Sequence, residues 1–300
     1  MDENLQALNA LLAVFSFVLG SMIGSFLNVC VYRLPRGLSV VKPRSKCPKC
    51  DNPIAWYDNI PVVSWLVLGA KCRHCGQPIS WQYPLVEAIT GVLFLVVFWR
   101  FGIAIATPIY MLLSAALVLV TFVDLTDWTI PDEVTLPGIP VGIATSVLFM
   151  LYPKSGLAVM GPFEMPVFNS LLGVVVGGGV LYALDKGALL LLKKPGMGFG
   201  DVKLNAMLGA FFGLYGAILI IVIAAFIGSF VGILMILAGK RNPAPGGPTE
   251  DSGEEPAGRP ASGHYLPFGP YLALAGVIVM LAGPAIIGFY FNTLLAPPSL

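Results

Sequence analysis

Two aspartates, each at the edge of a long apolar run, are the residues best placed to do chemistry. Asp201 follows Gly196-Met197-Gly198-Phe199-Gly200 and precedes Val202-Lys203. Glycine at every second position lets a backbone bend sharply and approach other chains closely. An acid at the mouth of an apolar segment is costly, so it is a functional candidate. Asp124 ends an earlier apolar run and opens a stretch with four carboxylates, Asp124, Asp127, Asp132 and Glu133. Should the fold bring Asp124 and Asp201 together, two like charges so close cannot both ionise. One carboxylate then serves as general base and the other as general acid. Together they would activate a water against a peptide carbonyl, with no metal and no covalent intermediate. The plainer reading of the glycine stretch is a tight loop with a solvated acid. A nucleotide loop is disfavoured, because no strand precedes it and no βαβ unit surrounds it.

A second constellation lies earlier. Cys47-Pro48-Lys49-Cys50 and Cys72-Arg73-His74-Cys75 are both Cys-x-x-Cys, with 21 residues between Cys50 and Cys72. Such knuckles place four thiolates at the corners of a tetrahedron, the closed geometry of structural zinc. Four thiolates leave no open position, so the cluster predicts a scaffold and not a catalyst. Two disulfides are the competing reading, disfavoured if the segment faces a reducing cytoplasm. Cys30, alone near the end of an apolar run, reads as a small core residue.

The elements that must position these groups are membrane helices. Of the 300 residues, 57% are hydrophobic and only 11% charged, against roughly 25% charged in soluble domains. The net charge of +1 says little about partners. The expected fold class is an all-α polytopic membrane protein of about eight transmembrane helices, with a small cytoplasmic zinc-binding domain. The first span is expected at 8–32, and its acidic start, Met1-Asp2-Glu3-Asn4, does not read as a cleavable signal. Further spans are expected at 83–101, 105–123, 134–152 and 167–192. Residues 204–238 are too long for one upright span, which needs about 20 residues, so they divide near 213–216. A last span opens at Leu266-Pro267-Phe268-Gly269-Pro270 and ends near Phe291. Arg33, Arg36, Lys42, Arg44, Lys46, Lys49, Lys71 and Arg73 put segment 33–82 in the cytoplasm. Eight spans leave both termini outside, and 153–166 becomes an external loop. Residues 240–265, rich in Pro, Gly, Ser and Glu, read as a disordered cytoplasmic linker. The organisation expected is a first helix over 1–32, a tetracysteine domain over 33–82 and a helical bundle over 83–300. No basic, aromatic surface suits a nucleic acid.

The ordered motifs resemble the bacterial prepilin peptidases, or type IV leader peptidases, a family of GxGD aspartyl proteases. The residues that carry the resemblance are Gly24-Ser25-Phe26-Leu27-Asn28-Val29, Tyr32-Arg33-Leu34-Pro35, the four cysteines and Tyr83-Pro84-Leu85-Val86-Glu87. It continues through Asp124 to Ile130-Pro131-Asp132, Gly196 to Leu204, and Pro267-Phe268-Gly269-Pro270. The family pattern has a catalytic Asp six residues before its Ile-Pro-Asp-like motif, which is Asp124, and a second in Gly198-x-Gly200-Asp201. Asp127 and Asp132 do not match it. The resemblance implies a multi-pass protein of the bacterial inner membrane. It implies cleavage after Gly of the basic leaders of type IV prepilins and type II secretion pseudopilins, at the cytoplasmic face. It further implies methylation of the new N-terminal amine with S-adenosylmethionine, since members with the tetracysteine domain are usually bifunctional. The family pattern often has Gly-Lys before the third cysteine, whereas here the run is Gly69-Ala70-Lys71-Cys72. A peptidase without methyltransferase activity is therefore an alternative. From another class, an acidic-site transporter would use the same carboxylates in a cation pathway.

Overall fold

The computed structural model describes residues 3–193, 197–238 and 266–294. The linker expected at 240–265 lies outside the described residues, as do Lys194 and Gly196. Apolar chain in a bilayer must satisfy every backbone N–H within itself, so the long hydrophobic runs become helices. These are α1 (Glu3–Arg33), α2 (Val63–Val67), α3 (Gln82–Phe101), α4 (Ala106–Asp127), α5 (Asp132–Leu151), α6 (Pro166–Leu192), α7 (Phe199–Leu237) and α8 (Gly269–Phe289). All but α2 are long and apolar enough to cross a membrane. The described residues form no strand, only single bridges at Lys46–Pro53 and Lys71–Pro78.

Helix α7 would be about 58 Å long if straight, twice a bilayer core. It is not straight. Gly213 has φ 75° and ψ −172°, outside the helical region and open chiefly to glycine. A Cβ built on Gly177 of α6 would lie 2.9 Å from the main-chain oxygen of Asn205 and 3.1 Å from Ala217 Cβ. Residues twelve apart in a straight helix are about 18 Å apart, so α7 folds back on itself at Gly213. Contacts with α8 agree: Gly276 sits beside Leu208, and Gly228 beside Tyr271. The division expected near 213–216 is a hairpin of two antiparallel helical halves, 199–212 and 214–237.

The first half rises only about 21 Å, less than a bilayer core. Its turn therefore lies at depth, where free backbone groups need protein partners. Segment 152–165 supplies them. Met160 N donates to Phe212 O at 2.8 Å, and Tyr215 N donates to Met160 O at 3.1 Å. Ser155, Leu157 and Met160 are buried. The stretch expected as an external loop is thus partly folded into the bundle.

The helices form two groups. α1, α3 and α4 pack on one another, as do α5, α6 and α7; α8 packs on both α4 and α7 and so joins the groups. α4 is the most enclosed of these helices, with about two thirds of its apolar stretch buried. Cys30 is buried in the core, as its apolar setting implies.

Candidate active site

The two candidate acids are set by helix ends. Both α4 and α7 extend about one turn beyond the apolar runs, so Asp124 and Asp201 lie inside helices and not in the loops beside them. Trp128, in the left-handed region at φ 55°, closes α4 and donates its N–H to Asp124 O at 3.1 Å. Pro131 in extended conformation then starts α5. On the other side, extended Gly198 starts α7, and Asp201 N donates to Gly198 O at 3.1 Å.

Each carboxylate is only 6% exposed. Asp124 Oδ2 accepts the N–H of Gly269, at 3.1 Å, from the first turn of α8. A helix N-terminus is partly positive and suits an anion. A Cβ on Gly269 would fall 2.5 Å from that oxygen and 3.1 Å from Ile130 Cδ1, and one on Gly200 would fall 2.8 Å from Ile130 Cβ. The Ile130 side chain is therefore wedged between α8 and α7 and ties the α4–α5 turn to both. Ile130 thus brings the end of α4 with Asp124 and the start of α7 with Asp201 to one junction. Asp201 Oδ1 is buried and has no hydrogen-bond partner among the described residues.

The remaining acids of the cluster turn elsewhere. Asp127 pairs with Arg36 at 3.3 Å, Asp132 pairs with Lys203, and Glu133 is exposed. Only Asp124 of the four is buried.

The cysteines converge by a different route. Their four Sγ atoms lie within 4.8 Å of one another, with Cys47 and Cys75 at 3.9 Å. A tetrahedral zinc–thiolate site has sulfurs about 3.8 Å apart, so the four fit a metal ion. Two matching turns build the cluster. Cys47 N donates to Asn52 O (2.9 Å), Asp51 N to Cys47 O (2.9 Å) and Ile54 N to Ser45 O (3.0 Å). In the second turn Cys72 N donates to Gln77 O (2.8 Å), Gly76 N to Cys72 O (2.9 Å) and Ile79 N to Ala70 O (2.7 Å). Arg73 clasps Asp58 with bonds of 2.6–3.1 Å and holds that carboxyl below the usual range.

Comparison with known proteins places this geometry. Residues 18–101 match the bacterial peptidase A24 N-terminal domain, and residues 111–233 match the type IV leader peptidase family. A protein of Myxococcus xanthus named prepilin leader peptidase/N-methyltransferase is 36% identical, with 91% of each chain covered. The chain belongs to the type IV leader peptidase family. Proteins of the same name from Neisseria gonorrhoeae (34% identical, 95% of each chain covered) and Pseudomonas aeruginosa (33%, 92% of each) are similarly related. No solved structure matches.

Against this family background, several contacts and one repeat could not be read from the motifs. α8 lies outside both matched segments, yet its Gly269 N–H holds Asp124. The tetracysteine segment is an internal repeat: Lys-Cys-x-x-Cys-x-x-Pro-Ile-x-Trp occurs at 46–56 and again at 71–81. Aligning the two knuckles beyond their cysteines would have exposed it. Ala70, the residue that departs from the Gly-Lys expected before the third cysteine, has φ 59°. The turn keeps its left-handed shape although alanine makes that shape strained. Glu87 is buried and its Oε2 accepts the N–H of Val62 at 2.7 Å, docking the tetracysteine segment on α3. Val62 itself sits at φ 61°, a strained position for a β-branched residue. Arg36–Asp127 makes a second tie, three residues from Asp124.

Proposed function

We propose that this chain is a membrane-embedded aspartyl endopeptidase with Asp124 and Asp201 as its catalytic pair. It removes basic leaders, after Gly, from type IV prepilins and pseudopilins at the cytoplasmic face of a bacterial inner membrane. The observation that carries the reading is that two buried carboxylates, from α4 and α7, stand at one junction filled by Ile130. Between them they would hold one proton. The ionised member takes a proton from a water, whose oxygen bonds to the scissile carbonyl carbon. The protonated member gives its proton to the carbonyl oxygen, and a gem-diol results. Collapse breaks the C–N bond, returns a proton from a diol hydroxyl to one carboxylate, and delivers the other carboxyl's proton to the leaving nitrogen. The buried setting strengthens each electrostatic contact.

Cys47, Cys50, Cys72 and Cys75 would hold one structural zinc, which closes the two knuckles into a domain over 33–82 and takes no part in hydrolysis. The cations Arg33, Arg44, Lys46, Lys49, Lys71 and Arg73 support a cytoplasmic position for it. The names of the relatives support a second activity, methylation of the new N-terminal amine, for which S-adenosylmethionine would supply the methyl group. A transporter is less well supported, because Asp127 and Asp132 are paired with Arg36 and Lys203 and do not form an acidic path.

Mass spectrometry of a full-length prepilin incubated with the purified protein and S-adenosylmethionine tests both activities. Loss of the leader mass reports cleavage, and a further gain of one methyl group reports transfer. An unchanged prepilin would sink the peptidase reading.

A further inference from the structure

We infer that Asn205 is a positioning residue that keeps the shared proton of the aspartate pair on Asp201. This rests on reading Asp124 and Asp201 as that pair. Asn205 is wholly buried in the first half of α7, one turn beyond Asp201. Its Nδ2 donates to the main-chain oxygen of Gly177 on α6 at 2.9 Å. That bond sets the direction of the amide, since the reverse orientation would set Asn205 Oδ1 against the Gly177 carbonyl oxygen. Asn205 Oδ1 is then left buried with no donor among the described residues, as is Asp201 Oδ1.

Residues four apart share a helix face, and Cα–Cβ bonds tilt toward the helix N-terminus. Asn205 therefore leans over the turn that carries Asp201. Two buried acceptors without a donor, one turn apart on one helix face, are an unmet cost. One proton on Asp201 Oδ1 removes both deficits. The carboxyl becomes a donor, and Asn205 Oδ1 accepts from it directly or through one water.

Asp124 is served differently. Both carboxylates lie at the first turn of a helix, Asp201 within α7 and Asp124 against α8, but Asp124 Oδ2 accepts the Gly269 N–H whereas Asp201 Oδ1 is left without a donor. The other charged groups around Asp201 are occupied. Asp132 on α5 pairs with Lys203 of α7, and Asp185 on α6 accepts the N–H of Met197 at 3.3 Å. The roles thus divide: Asp124 takes the proton of the attacking water, and Asp201 gives its proton to the carbonyl oxygen.

Infrared spectroscopy of the full-length protein in membranes tests this without a substrate. At neutral pH a protonated-carboxyl stretch should be present, vanish in Asp201→Asn, and move to higher frequency in Asn205→Leu. Asn205→Ser keeps an acceptor but loses the bond to Gly177, so it should restore the band toward its original position. A structural role for the Gly177 bond alone would make Leu and Ser behave alike. In cleavage assays the basic limb of the pH profile should fall by about one pH unit in Asn205→Leu, the worth of one hydrogen bond to the protonated form. A band that survives Asp201→Asn and is lost in Asp124→Asn would overturn the inference. So would a band and a basic limb that stay in place in Asn205→Leu. Wild-type protein that cleaves no prepilin would instead overturn the peptidase reading, and the infrared result would still decide the place of the proton.

Discussion

The tetracysteine cluster and the aspartate pair both gather groups from separate parts of the chain, but by different means. Each knuckle closes within a few residues through its own backbone bonds, and the second repeats the first 25 positions later. The aspartates are 77 positions apart, and nothing local brings them together. They meet because α8 packs on both α4 and α7, and because Ile130 wedges between Gly200 and Gly269. A metal can hold the first site even where packing is loose. Only helix packing holds the second, so shape changes at helix contacts should harm hydrolysis far more than metal binding.

The sharpest break in this comparison should come at the carboxylates. Asp124→Asn or Asp201→Asn should each lower the initial cleavage rate by about 10^3–10^4-fold or more, with the double variant little worse, because the pair acts as a unit. Metal content by elemental analysis should stay unchanged. Asp127→Asn, which loses only the Arg36 pair, should keep cleavage within several-fold. If Asp127→Asn were the dead variant, the assignment of the pair would be wrong.

A smaller, purely geometric effect is expected at Gly269→Ala. The new Cβ would meet Asp124 Oδ2 at 2.5 Å and push the carboxylate aside while leaving the N–H in place. A displacement of about 1 Å costs on the order of 10^2-fold. Rates near wild type would show that α8 does not position Asp124.

Changing Cys47, Cys50, Cys72 or Cys75 to Ser should release the metal and speed amide exchange over 44–81. Cleavage should fall by less than about tenfold, since losing a distant support reaches the acids chiefly through ties such as Glu87–Val62 and Arg36–Asp127. Methyl transfer, read by mass spectrometry on the same samples, should suffer more. Equal loss of both activities would mean the two regions form one site.

The smallest effect should be a gain. Ala70→Gly removes the strain at φ 59° and should stabilise the second knuckle by about 0.5–1 kcal/mol after the added freedom of the unfolded chain is counted. Slower metal loss to a chelator is the measurement. Faster loss would show that the turn prefers alanine for some other contact.

Much of this protein follows from residue order alone, because membrane helices and Cys-x-x-Cys knuckles are local solutions. An apolar run must close its own backbone bonds, so the spans were legible to within a few residues, including the reversal near Gly213. The convergence of the four cysteines was legible from type and spacing, and Asp201 stood out as a candidate by its glycine run, whereas Asp124 was set apart from Asp127 and Asp132 by the family pattern. Three things were not legible. Which of four clustered acids faces inward depends on where α4 ends and how α5 leaves it. That 152–165 enters the bundle depends on backbone groups freed at the Gly213 turn, and hydropathy does not register them. That Asn205 stands over Asp201 without a donor depends on the amide being held from the far side by Gly177. Each is a directional contact between segments distant in sequence, and such contacts exist only once the helices have packed.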